Sequence, residues 1–147
     1  VSRSRHVLAL ACAASALLAA TSAYAGSARS VKEHVDLVLV KKTGASKFQH
    51  SGRASGTFTG TVKSRIAIEH SVVLRGTVTI ATSGGSVRMK VDGRARSLSM
   101  RTKFDGAATI TGGTGRYAHA KGTGRFSGVV NRSTWHATLD ATGSFTS

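Results

Sequence analysis

The sequence predicts an all-β fold: a closed antiparallel β-barrel of about eight strands, following an N-terminal signal peptide. Three observations predict it. Beyond residue 25, apolar and polar side chains alternate with a period of two over run after run, as in strands with one buried face. The same region lacks helical periodicity and holds all 17 glycines, which suit tight turns and poorly suit helices. The lone cysteine, Cys12, lies in the leader, so no disulfide can hold the strands, and closing the sheet removes exposed edges.

Residues 1–25 have the layout of a secretory signal peptide. Arg3 and Arg5 form a basic start, Val7 to Ala20 an apolar run, and Ala23-Tyr24-Ala25 a small-x-small cleavage site. The expected product is secreted, extracellular and cut near Ala25. The apolar run before Cys12 is too short for lipoprotein processing. No later stretch approaches the roughly 18 apolar residues of a membrane helix. Residues 26–33 read as a flexible leader and 34–147 as one barrel domain.

The strands follow in order. His34 to Lys42 places Val35, Leu37 and Leu39 on one face, Val38 and Val40 on the other. Apolar residues on both faces suggest a covered strand at a subunit contact, hence a homo-oligomer. Thr43 to Ser55 reads as a polar link with a short strand around Phe48, and Gly56 to Thr61 as strand-like. Val62, Ser64, Ile66 and Ile68 then share a face, as do Val72, Leu74, Gly76, Val78 and Ile80. Ser83-Gly84-Gly85 is a hairpin turn. Val87, Met89 and Val91 point inward, and Asp92-Gly93 reads as the next hairpin. A strand over 94–101 is expected to turn Leu98 and Met100 inward. Lys103 to Thr111 places Phe104, Gly106, Ala108 and Ile110 on one face, with Asp105-Gly106 as an alternative turn. Gly122 to Val130 and Ser133 to Phe145 complete the set, with a turn at Asn131-Arg132 and Trp135 in the core.

Between the last strands lies a corner built on Gly112, Gly113, Gly115, Gly122 and Gly124, with Tyr117 as its large side chain, expected to plug one end of the core. Gly113 to Ala118 also fits G-x-G-x-x-A, a phosphate-cradling turn. That turn must open a helix, and Gly122 and Gly124 leave room for about one helical turn at most. Gly112-Gly113-Thr114-Gly115-Arg116-Tyr117-Ala118-His119-Ala120-Lys121-Gly122 resembles the G-G-T-G-x-[F/Y]-x-x-A-x-G signature of the dirigent and allene oxide cyclase barrel-like superfamily. The resemblance implies an eight-stranded antiparallel barrel with an apolar lumen, sometimes trimeric. Plant dirigent proteins use acidic and basic residues at the lumen mouth on phenolic radicals or quinone methides. Those positions have no match here, so the fold carries over and the activity does not.

Motifs for chemistry are sparse. The acids Glu33, Asp36, Glu69, Asp92, Asp105 and Asp140 never form a close pair in sequence, and no G-x-S-x-G elbow occurs. His34, His50, His70, His119 and His136 are not at metal-ligand spacing. No catalytic residue, metal or cofactor is expected. Arg116, Tyr117 and His119 share the corner and are candidate ligand-binding residues at a barrel mouth, for an anionic or phenolic group.

Of 21 Lys plus Arg, Arg3 and Arg5 leave with the leader; the remaining 19 face 6 acids, a net charge of +13. The cations are spread without a block, as on a solvated outer face, and stacking aromatics are few, which disfavours nucleic acid. The leading expectation is a secreted binding barrel with a small apolar or amphipathic ligand in its lumen. The alternatives are a basic protein that binds an anionic cell-envelope polymer and a cofactor-free dirigent-like or cyclase-like isomerase.

Overall fold

A computed structural model describes residues 26–147. The expected signal peptide, its cleavage site and Cys12 lie outside the described residues. Eight strands pair in chain order and close on themselves: β1 (Arg29–Thr43), β2 (Lys47–Gly56), β3 (Gly60–Glu69), β4 (Val73–Thr82), β5 (Gly85–Ala95), β6 (Arg101–Gly113), β7 (Lys121–Asn131) and β8 (Ala137–Thr146). Every pairing is antiparallel, and β1 meets β8 from Arg29↔Phe145 to Leu37↔Ala137. Up-and-down connection puts the β2–β3, β4–β5 and β6–β7 links at one end. The β1–β2, β3–β4, β5–β6 and β7–β8 links lie at the other.

The alternation read from the sequence becomes inside and outside. Val35, Leu37, Val62, Ile80, Val87, Val91, Phe104, Ile110 and Phe126 are buried within the barrel, while Lys63, Arg65, Arg88, Lys90 and Arg125 between them are exposed. Strands are tilted, as closure requires. A row of cross-strand partners starts at Glu33 near the beginning of β1. It passes through Ala141, Phe126, Gly106, Gly93 and Leu74, and ends on Ile68 near the end of β3.

Large rings fill this tilted interior because glycines stand opposite them. A side chain at Gly106 would meet Phe126 Cζ at 2.7 Å, and one at Gly93 would meet the same atom at 2.9 Å. Phe104 Cζ lies 2.8 Å from where a side chain would start at Gly128. Each ring covers backbone that no side chain shields, and the sheet bends over it.

That packing explains where the strands depart from expectation. Asp92-Gly93 is not a hairpin. Asp92 pairs with both Arg75 and Ala107, and Gly93 with both Leu74 and Gly106, so β5 runs straight through. Likewise Asp105-Gly106 lies within β6, not at a turn. The connection falls at 96–100, where Arg96 donates Nε to Asp105 at 2.7 Å and its backbone N–H reaches Lys103 O at 2.8 Å. Leu98 and Met100 therefore sit on the surface, 64% and 60% exposed, instead of inside a strand. The chain around Phe48 is a full strand, and residues 57–59 form a turn. β1 starts at Arg29, so most of the expected 26–33 leader is strand, held by the β8 ladder. Val38 and Val40 face outward and are exposed.

Substitution at Gly106 tests the ring-over-glycine packing. Gly106→Val must displace Phe126 and the neighbouring backbone, and should cost about 3 kcal/mol. Gly44, at φ +64° with nothing within 4 Å of an added Cβ, is the control. Gly44→Asn keeps a left-handed turn residue and should stay within about 0.5 kcal/mol of the parent in urea unfolding.

Candidate functional site

Closure leaves an internal cavity of about 150 Å³ along the barrel axis. Its wall is mainly Val, Ile, Leu and Phe, among them Val35, Ile66, Leu74, Val78, Phe104 and Leu139, and the surface it offers is apolar. Two aromatic groups bound it.

At one end, Tyr117, Phe58 and Phe145 form a plug. Phe58 meets Phe145 at 4.9 Å and Tyr117 at 5.6 Å between ring centroids, both edge-on, an arrangement that favours aromatic pairs. Tyr117 reaches this place through the 3-10 turn Gly115–Tyr117. Gly115, at φ +59°, has backbone against Gly84 and Gly85 where a side chain would stand. At Gly115 an added side chain would meet that backbone. Tyr117 is buried in the plug, whereas Arg116 and His119 are exposed beyond it. None of the three expected ligand-binding residues, Arg116, Tyr117 and His119, lines the cavity. Arg116 instead packs against Gly84 of the β4–β5 turn.

At the opposite end stands Trp135. The sequence pattern places it within the last strand, but the chain turns through 131–136 and β8 begins at Ala137. The Asn131 side chain accepts from the N–H and hydroxyl of Ser133 at 2.9 and 2.7 Å, and Trp135 N–H donates to Asn131 O at 2.6 Å. Trp135 adopts φ +59°, which a bulky residue rarely occupies. The half-buried indole lies tilted against Phe48, 4.3 Å between ring centroids, and lines the cavity. From outside, Lys42 Nζ lies 5.4 Å and the Arg132 guanidinium 5.8 Å from its ring centre, within cation–π range.

Glu33 from β1, His50 from β2 and Ser64 from β3 are the non-exposed polar residues lining this apolar lumen; Thr123, Arg125 and Thr142 also border it but are exposed. Glu33 Oε2 accepts from Phe58 N–H at 2.8 Å near the plug, while Oε1 has no partner among the described residues. Burial raises its carboxyl above the usual value of about 4.5, partly opposed by the Phe58 and Thr57 backbone. His50 Nε2 lies 2.9 Å from the carbonyl oxygen of Trp135. A carbonyl only accepts, so in the neutral ring Nε2 carries the hydrogen and Nδ1 is a bare acceptor. Burial lowers the His50 pKa below its usual value of about 6.5; the Trp135 carbonyl opposes this, and nearby His136 adds to it. His50 Nδ1 and Ser64 Oγ likewise have no hydrogen-bond partner among the described residues.

Sequence reasoning placed Ser64 on the inward face but gave it no role. Glu33 was hidden in the expected leader and His50 in the expected link. A period-two extension of Val35-Leu37-Leu39 back to Glu33 and Val31 was the available signal for the first. For the second it was the alternation Phe48, His50, Gly52, Ala54. Neither a protein-family model nor a curated protein nor a solved structure matches the chain. Among the described residues, no group of three His, Cys, Asp or Glu could hold a metal ion. No described helix is long and apolar enough to cross a membrane.

The Glu33 environment sets the sign of a pH effect. The unfolded carboxyl ionises near its usual value, but the folded one resists until higher pH. Its contribution to stability is therefore lost as pH rises through that window. Glu33→Gln retains an acceptor for Phe58 N–H and removes the ionisation. The variant should melt higher than the parent at pH 7, and that advantage should vanish at pH 4.

Proposed function

We propose that this protein is a small-molecule binding barrel, whose closed lumen takes up a compact apolar or amphipathic ligand between the Tyr117 plug and Trp135. One observation carries the reading: the axial cavity of about 150 Å³ is walled by aliphatic and aromatic side chains and is kept open in an otherwise close-packed interior. An engineered cavity of similar size, lined by Leu, Ile and Phe, stays dry and binds benzene or xenon. The likeness of the glycine corner to dirigent and allene oxide cyclase barrels agrees with this reading. Secretion, expected from residues 1–25, would make the ligand an extracellular one.

Trp135, the only tryptophan, lines the cavity and reports its occupancy. Single-ring hydrocarbons such as benzene and toluene should shift Trp135 emission and add one ligand mass in native mass spectrometry. Val78→Phe, which fills the lumen from β4, should abolish both signals while the far-ultraviolet circular dichroism stays that of a β-barrel. A parent protein that takes up no small apolar molecule would refute the reading.

A second reading has its own observation. The cations of the outer wall, including Lys63, Arg65, Arg88, Lys90, Arg53 and Arg125, are exposed. Acidic partners among the described residues serve chiefly Arg75 and Arg96. Such a surface suits an anionic envelope polymer. Binding to a polyanion should then weaken steeply with salt, by about tenfold or more between 50 and 200 mM. Salt-independent retention would exclude the charge as its cause.

A further inference from the structure

We propose that His50 and Ser64 form a hydroxyl-selective anchor in the lumen, so that the ligand is a compact apolar molecule bearing one alcohol group. The inference rests on the lumen being a ligand site and adds the chemistry it selects. His50 and Ser64 are direct cross-strand partners on β2 and β3. Both line the cavity, so they share the inward face, and side chains so paired are close neighbours. Ser64 is 3% exposed and its Oγ has no partner among the described residues. His50 is held through Nε2 by the Trp135 carbonyl, which leaves Nδ1 without a partner among the described residues as a lone-pair acceptor beside that hydroxyl.

Two orphaned polar atoms inside an apolar wall each carry an unrecovered desolvation cost. The smallest ligand group that satisfies both is a hydroxyl. Its O–H donates to His50 Nδ1, and its oxygen accepts from the Ser64 hydroxyl. A ketone serves Ser64 alone and leaves Nδ1 bare, and a methyl group serves neither. The cross-strand neighbours Val78 and Met89, and Ile66 two residues along β3, add only apolar surface around the pair. Binding is non-covalent, and no proton leaves either partner.

Cyclohexanol, cyclohexanone and methylcyclohexane share one ring and nearly one size; cyclohexanone absorbs weakly where Trp135 is excited, so its titration is corrected for that absorption and checked by native mass spectrometry. Their dissociation constants are to be measured from Trp135 emission on the parent protein and on Ser64→Ala. The parent should bind cyclohexanol about tenfold tighter than cyclohexanone. Ser64→Ala should weaken cyclohexanol by about tenfold and leave methylcyclohexane unchanged or slightly tighter. His50→Leu, verified as folded by circular dichroism, should weaken cyclohexanol to a similar degree. If Ser64→Ala and His50→Leu leave cyclohexanol affinity unchanged while all three probes bind, the anchor is overturned and the lumen reading survives; the pair is then satisfied by resident water. If no probe binds the parent protein by emission or native mass spectrometry, the lumen reading fails and the anchor fails with it.

Discussion

The β1–β8 ladder is the constraint on which the rest of the molecule depends. Without the pairing from Arg29↔Phe145 to Leu37↔Ala137, both strands would be open edges and there would be no inside. Closure extends β1 back to Arg29, and that extension carries Glu33 into the lumen. A carboxyl inside an apolar wall is thus a consequence of how the barrel shuts. The Phe58 N–H, brought by the β2–β3 turn, compensates part of its burial.

Closure also decides which residues must be small. A strongly tilted barrel with rings in its interior needs backbone without side chains beneath those rings. Gly93 and Gly106 under Phe126 and Gly128 under Phe104 meet that need on β5, β6 and β7. The polar lumen groups lie on the other side of the barrel, on β1, β2 and β3. The interior is therefore two-sided. One wall is rings over glycine, closely packed. The other holds Glu33, His50 and Ser64, with polar atoms that have no partner among the described residues. Burying such atoms destabilises a fold, and their concentration in one sector is what gives the cavity chemical character beyond its size.

The two ends differ in kind. The Tyr117 end is closed by three rings, with Phe58 edge-on to both Tyr117 and Phe145, and by a 3-10 turn seated on β5. The Trp135 end is closed by one half-buried indole in a left-handed backbone conformation, with Lys42 and Arg132 over its outer face. The same indole residue positions His50 through its carbonyl. The outer surface is a separate matter: alternation sends cations outward on β1 to β7, and β8 carries none, so the charge of the wall and the chemistry of the lumen are independent.

Alternation alone determined a great deal: the all-β class, the approximate number of strands, the inward sets on β3, β4 and β5, and a glycine corner that seats Tyr117. These are local properties, written in a repeat of two and in residues that only turns tolerate. Where turns fall was less legible. Asp92-Gly93 has the composition of a hairpin, but two flanking ladders and the Phe126 ring keep it extended. Leu98 and Met100 have the composition of a core, but a turn held by Arg96 and Asp105 leaves them outside. The lumen site was not legible as a site. Glu33, His50, Ser64 and Trp135 are scattered over a hundred residues, and none carries a motif. Only the tertiary structure decided that they meet one cavity, because adjacency across strands is set by register and closure, and neither is encoded in any single stretch of chain.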